Sequence, residues 1–143
     1  MEYENLENKI GDYATFFLAG TASQTAANYP VFFTARHPVE LAWITETHSA
    51  AGTDGGAVTL DIRKLASGIA PTAGSSMLVS TFNLKSTANT PVTKEGYVGL
   101  VSNNARVLIE GQRIGAVSSG TLTALEGVTV TAYFKYVNLG SFK

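Results

Sequence analysis

The chain has 143 residues, which is enough for one domain whose core needs no support from disulfides or metals. Charged residues make up only 15% of it and the net charge is −1, so we expect neither a nucleic-acid partner nor a membrane partner. The absence of cysteine excludes a disulfide scaffold, a thiolate metal site and a cysteine nucleophile.

The beginning of the chain differs in character from the rest, and we predict an N-terminal arm and linker over residues 1–28. Residues 1–12 are polar and rich in acidic groups, unlike the basic start of a signal peptide. Residues 13–18 are the first strand candidate, and residues 20–28 are small and polar. The remainder, residues 29–143, is predicted to form a β-sandwich domain.

Two stretches lack charged residues, 13–35 and 65–84, and both are long enough to span a bilayer. Prolines, glycines and hydroxyl residues interrupt them, so neither is a continuous apolar run. We therefore expect these uncharged surfaces to face other protein rather than lipid.

Aromatic and β-branched residues predict strands over 29–35 and 39–48. Alternation in the second strand separates its two faces, and Ala42 and Ile44 would share one of them. The other face would carry Leu41, Trp43, Thr45 and Thr47.

A glycine-rich turn follows at residues 51–56, and residues 57–64 then alternate cleanly between apolar and polar side chains. Val58, Leu60 and Ile62 point one way in that strand. The turn between two such strands predicts an antiparallel hairpin that spans Val39 to Lys64.

The rest of the chain offers further short strands, separated by turn residues, over 77–84, 92–100, 106–110, 112–118 and 128–136. The last has the clearest pattern, with an inward set of Val128, Val130, Ala132, Phe134 and Tyr136. Eight or nine strands at this spacing, without a long helical stripe, predict an all-β protein built as a sandwich or a barrel.

The residues that could carry chemistry are few. Glu46 and His48 are two apart on a strand, so they share a face and could chelate a metal, but surface polar residues are the simpler interpretation. His37 and His48 among many serines do not make a hydrolytic triad, and Asp54 alone is a poor calcium site. We expect no catalytic residue, no metal and no cofactor.

Two pairs of adjacent aromatics, Phe16–Phe17 and Phe32–Phe33, carry structural information because neighbours on a strand point to opposite faces. Both faces of each strand are then apolar. Such a strand is buried on two sides or lies against another subunit.

Five segments in order, 51–62, 80–85, 87–90, 110–115 and 119–128, resemble cement or decoration proteins of tailed-bacteriophage heads over roughly residues 30–137. The resemblance implies a jelly-roll-like antiparallel β-sandwich. It also implies a homotrimer on the outer surface of the virion, bound to the major capsid protein and cementing neighbouring capsomers. It implies no enzyme activity and no cofactor.

Such a protein needs several contacts with the shell, and the N-terminal arm suits this role. Its aromatic residues are the candidate partner-binding anchors: Tyr3, Tyr13, Phe16 and Phe17.

An alternative is a carbohydrate-binding or receptor-binding β-sandwich module of a phage head fibre. It would use Trp43, Tyr97 or Tyr133 as a stacking platform. Exposed coplanar rings in a shallow groove would favour this alternative, and burial of Trp43 would favour the cement protein.

Overall fold

The computed structural model describes residues 11–18 and 29–137, and the regular structure in this part of the chain consists mainly of strands. Helical structure within it is limited to short turns at Pro71–Ala73, α1 (Gly96–Gly99) and Asn103–Arg106. No helix in these two ranges is long and apolar enough to cross a membrane. The strands are β1 (Gly11–Leu18), β2 (Val31–Thr34), β3 (Val39–Thr47), β4 (Thr59–Leu65), β5 (Ser75–Ser76), β6 (Phe82–Asn83), β7 (Val92–Glu95), β8 (Val107–Leu108), β9 (Arg113–Ser119) and β10 (Val128–Tyr136).

The strands form two antiparallel sheets that pack face to face. Sheet 1 has the order β1-β10-β3-β7, with β8 also paired to β3, and sheet 2 has the order β2-β9-β4-β5, with β6 also paired to β4. The chain crosses between the sheets repeatedly, so strands adjacent in a sheet are mostly distant in sequence. This is a jelly-roll arrangement, and the predicted fold class is confirmed.

Alternating side chains from both sheets fill the space between them. Val128, Val130, Ala132 and Phe134 are each 0% exposed, as predicted for β10. Fully burying one such valine or phenylalanine contributes roughly 1.5–3 kcal/mol. Tyr136 does not join them, because β10 ends there and its hydroxyl lies 3.2 Å from Asp12 Oδ1 at the edge of the sheet.

The predicted hairpin from Val39 to Lys64 is wrong, because β3 and β4 lie in different sheets. The segment between them crosses the end of the sandwich, where the Gly52 N–H donates to Leu84 O and the Thr53 N–H to Thr123 O. Alternation identified both strands and the buried face of β4. It does not specify which strand pairs with which.

The predicted faces of β3 are wrong at Leu41 because the strand contains a β-bulge. Phe134 pairs with Leu41 and Tyr133 pairs with Trp43, which leaves Ala42 as an extra residue. Alternation therefore restarts after Ala42, and both Leu41 and Ile44 point into the core.

The predicted strands over 77–84 and 92–100 are much shorter in the structure. Strand β7 ends at Glu95 because Gly96 has a φ of +58°, which diverts the chain into α1. The earlier segment contributes only β6 and a bridge from Leu78 to Leu100.

The predicted arm contains a strand of the sandwich. Strand β1 pairs with β10 along its full length, from Gly11 opposite Lys135 to Leu18 opposite Val128. Residues 11–18 therefore belong to sheet 1, and the boundary at residue 28 does not describe them. Residues 1–10 and 19–28 lie outside the described residues.

Candidate interaction surface

A row of three aromatic side chains crosses the outer face of sheet 1. Tyr13 on β1 is in register with Tyr133 on β10, which is in register with Trp43 on β3. The Trp43 and Tyr133 rings stack with centroids 5.7 Å apart, and the Tyr13 centroid lies 4.8 Å from that of Tyr133. The bulge at Ala42 lets Trp43 lie on this face while Leu41 points into the core.

A row of threonines lies beside the aromatic row. Thr15, Thr131, Thr45 and Thr93 are in register across all four strands. The hydroxyls of Thr45 and Thr93 lie 2.7 Å apart and bond to each other. Cross-strand threonine pairs of this kind stabilise a sheet.

We call the outer surface of sheet 1 the aromatic–threonine face. It comprises Tyr13, Thr15, Phe17, Trp43, Thr45, Thr47, Thr93, Thr129, Thr131 and Tyr133. None of these side chains is charged, yet Tyr13 is 64% exposed and Phe17 is 61% exposed. An uncharged, partly aromatic area of this kind on a protein surface is a candidate interaction site.

Among the described residues, sheet 2 has no equivalent surface near its centre. A Cβ added at Gly115 on β9 would lie 3.1 Å from Leu65 and 3.3 Å from Pro71, so the chain itself covers this position. Val117 on the same strand is only 8% exposed. The sandwich is thus covered on one side and open on the other.

Charged residues border the aromatic–threonine face at one end only. Arg106 Nε donates to Glu40 Oε1 at 2.9 Å, and Glu95 and Lys135 line the same shallow pocket of about 320 Å³. Glu95 is in register with Trp43 at the β7 end of the aromatic row, and Glu40 and Lys135 lie opposite each other beyond the row. The threonine rows at the centre of the face stay uncharged.

The four predicted anchors have different positions. Tyr13 and Phe17 lie on the aromatic–threonine face. Phe16 is in the core, 7% exposed and with its ring centroid 5.9 Å from that of Phe32, so it is not available to a partner in this state. Tyr3 lies outside the described residues.

The proposed stacking platform is only partly assembled. Trp43 and Tyr133 are neighbours, but Tyr97 lies on α1, where the Arg106 guanidinium is 5.4 Å from its ring centroid. Trp43 is half-buried, and its stacking with Tyr133 occupies a ring face that a sugar would need.

Sequence reasoning found the outward threonines of β10 but missed the row to which they belong. The alternation of β10 was a sufficient signal for Thr129 and Thr131. The row itself depends on the register of four strands that are far apart in the sequence, and no local pattern specifies that register.

Glu46 and His48 form a buried pair rather than a surface or metal-chelating pair. His48 Nδ1 lies 2.8 Å from Glu46 Oε1 and Nε2 lies 3.0 Å from Ser86 O, while both side chains are 0% exposed. Burial raises the pKa of Glu46, although its hydrogen bond to His48 opposes the rise. Glu46 Oε2 has no hydrogen-bond partner, which adds to the cost of a charge there.

This pair is not arranged for catalysis. His48 bonds to the backbone carbonyl of Ser86 and not to its hydroxyl, and a substrate cannot reach side chains that are fully buried. His37 contacts the Tyr136 ring edge-on, with centroids 5.8 Å apart. Within residues 11–18 and 29–137, no three His, Asp or Glu side chains group together as metal ligands would.

No family model matches the sequence, and no curated protein matches it significantly. Among solved structures, the fold is similar to that of a chain in the cyanophage Pam1 capsid asymmetric unit. The TM-score is 0.53 at 12% identity, over 90% of this chain and 85% of that chain. A chain of infectious bursal disease virus, Gx strain, gives a TM-score of 0.30 at 14% identity, over 90% of this chain and 37% of that chain.

Proposed function

We propose that this chain is a structural virion protein that binds the outer surface of a phage capsid as a homotrimer and cements neighbouring capsomers. The observation that carries the proposal is the likeness of its jelly roll to a chain of the cyanophage Pam1 capsid asymmetric unit over nearly the full length of both. The partner is the major capsid protein. The activity is adhesion, with no reaction and no cofactor.

The sandwich has the physical properties that adhesion requires. Its densely packed core gives a rigid body, and one of its two broad sides is open and uncharged. We assign the centre of the aromatic–threonine face, around Thr131, to contact with the shell. Hydroxyls and aromatic rings together suit an interface that is part apolar and part hydrogen-bonded.

Residues 1–10 are proposed to add a second contact, with Tyr3 as its anchor. Residue 10 is followed by Gly11, the first residue of β1, which lies opposite Lys135. A contact made by residues 1–10 would therefore start from that end of the face. Three such segments on one trimer would strengthen the joint through effective concentration.

The test of shell contact places one charge at the centre of the face. Thr131→Lys is expected to weaken binding to heads assembled from the major capsid protein of the same genome by at least tenfold, because an unpaired ammonium would be desolvated. Cosedimentation with purified heads measures it. Thr81→Lys is the matched control, because Thr81 is exposed in a loop before β6. Equal binding by both variants would remove the face from the proposal.

The alternative of a glycan-binding module is supported by one observation, the three aromatic rings in a row. Trp43 is the only tryptophan, so its fluorescence reports on this face alone. If oligosaccharides bind there, titration shifts its emission, and Tyr133→Ala abolishes the shift. No change in emission on addition of a panel of neutral and acidic oligosaccharides would leave the structural role.

A further inference from the structure

Exposed apolar side chains gather at two opposite edges of sheet 1. On the β1 edge, Tyr13 is 64% exposed and Phe17 is 61% exposed, and we call these two residues the β1 patch. Beyond the β7 edge, Val79 is 58%, Tyr97 73% and Val98 93% exposed, and we call these three the α1 patch. These five are the most exposed large apolar side chains among the described residues.

The α1 patch is a fixed protrusion. Gly99 packs so closely on Lys94 that a Cβ there would lie 2.8 Å from Lys94 Cα. The Val79 N–H donates to Gly99 O at 3.0 Å, and the Leu100 N–H donates to Gly96 O at 2.9 Å. The turn is therefore held from both sides, and little conformational entropy remains to be lost when its tip binds.

We propose that each patch is occupied by a second copy of this chain, with the α1 patch of one copy packed against the β1 patch of the next. This inference rests on the self-association in the proposed function and assigns the surfaces that perform it. The two patches differ in shape, because one is a protruding turn and the other lies on an extended strand. They are separated by β10 and β3, so one copy cannot join them to each other.

A contact between two different patches is heterologous, and repetition of it closes a ring when the rotation per copy permits. A ring of three copies satisfies this with one kind of interface. In such a ring the neighbouring α1 patch covers the β1 edge of the aromatic–threonine face. The centre of the face, at Thr131 and Thr45, stays open for the shell.

The charges around the patches agree with this pairing. Neither patch contains a charged side chain. Asp12 and Lys135 border the β1 patch. Glu40, Glu95, Lys94 and Arg106 border the α1 patch, with Lys94 Nζ bonded to Ser80 Oγ and Arg106 paired with Glu40, so each border holds as many acids as bases. The contact therefore brings together no excess of one charge, and the centre of the interface can be dry.

The test uses two variants of the full chain and their mixture. Tyr13→Arg with Phe17→Arg blocks the β1 patch, and Val79→Arg with Val98→Arg blocks the α1 patch. Each variant alone is expected to be a monomer of about 15.1 kDa by sedimentation equilibrium, while the wild type is a closed oligomer. An equimolar mixture is expected to give a dimer of one copy of each, because one matching pair of patches survives. Ile109→Arg is the control, because Ile109 is 50% exposed and belongs to neither patch.

Each other outcome contradicts the inference in an identifiable way. If both double variants keep the mass of the wild type, the oligomer uses other surfaces. That result would overturn this inference but would not contradict the proposed binding to heads. If the mixture stays monomeric, the patches do not pair with each other. A wild-type chain that is monomeric at high concentration overturns the inference, and head binding by that monomer would leave the capsid role standing without the trimer. Far-ultraviolet circular dichroism verifies that every variant is folded.

Discussion

At the residue scale, the Glu46–His48 pair places two titratable side chains in the buried interior of the sandwich. Burial disfavours the ionised carboxylate, and Glu46 Oε2 has no partner that would compensate for a charge. With Glu46 protonated, its hydroxyl donates to His48 Nδ1, and the Nε2–H of His48 donates to Ser86 O. The pair then joins the end of β3 to the loop that contains Ser86.

The stability of the fold should depend on pH through Glu46. Because its pKa is raised above 4.5, the folded chain keeps a proton that the unfolded chain releases. This contribution is complete below pH 4.5 and is lost as the pH rises through the pKa of the folded state. Glu46→Gln keeps a donor toward His48 and carries no proton to lose. Urea unfolding from pH 4 to pH 8 should therefore show the wild type losing free energy of unfolding relative to this variant as the pH rises.

Glu95→Gln is the control for that measurement, because Glu95 is exposed and the chemical change is the same. A wild-type free energy of unfolding that stays constant relative to that of Glu46→Gln over this range, or that rises relative to it as the pH rises, would contradict a raised pKa of Glu46.

At the element scale, local patterns predicted most of the strands, and the contacts between distant segments decided everything else. The alternation of β4 and β10 identified their buried faces because each has one side against the core. The hairpin failed because alternation is the same whichever strand is the neighbour. The prediction for β3 failed at Leu41 because the extra residue Ala42 puts Leu41 and Trp43 on opposite faces. Amino-acid composition does not reveal a bulge of this kind.

The candidate surface was predictable only in part, for the same reason. The residues of β1 have the composition of a strand but follow a charged segment. The sequence therefore groups them with the predicted arm. The adjacent Phe16 and Phe17 were correctly expected to point to opposite faces. Which of the two is buried depends on the pairing of β1 with β10.

These two neighbours provide a direct test of the position of β1. Phe16→Ala is expected to lower the free energy of unfolding by about 3 kcal/mol, because it opens a cavity between the sheets. In a background of Val79→Arg with Val98→Arg, where no second copy covers the β1 patch, Phe17→Ala is expected to change it by less than about 0.5 kcal/mol, because its ring is then largely in solvent. Urea unfolding of the two variants measures both values. Equal losses would show that β1 does not pack as described.

At the scale of the whole molecule, the jelly roll combines a covered side with an open one. Chain segments cover the centre of sheet 2, while the ten uncharged side chains of the aromatic–threonine face lie on the outer surface of sheet 1, bordered by Glu95 and Lys135. Such an asymmetric body can lie flat on a larger assembly and expose its other side to solvent. This is the geometry that the proposed function uses.

Binding through an uncharged face should respond weakly to salt. We expect the affinity for heads to change by less than about threefold between 50 mM and 500 mM salt, because there are few charges to screen at the contact. Cosedimentation at a series of salt concentrations measures it. The residual binding of Thr131→Lys should vary more steeply over the same range. A steep loss of wild-type binding with salt would assign the contact to the charged border instead.

The bulge in β3 shows how this surface tolerates a change in chain length. Because Ala42 is the extra residue, a strand without it would have an unbroken two-residue period in which Leu41 and Ile44 still point inward and Trp43 still points outward. The loss of this one residue would therefore leave the aromatic row in place. A residue inserted between Trp43 and Thr47, with no second bulge to absorb it, would instead turn part of the strand over and direct threonines into the core.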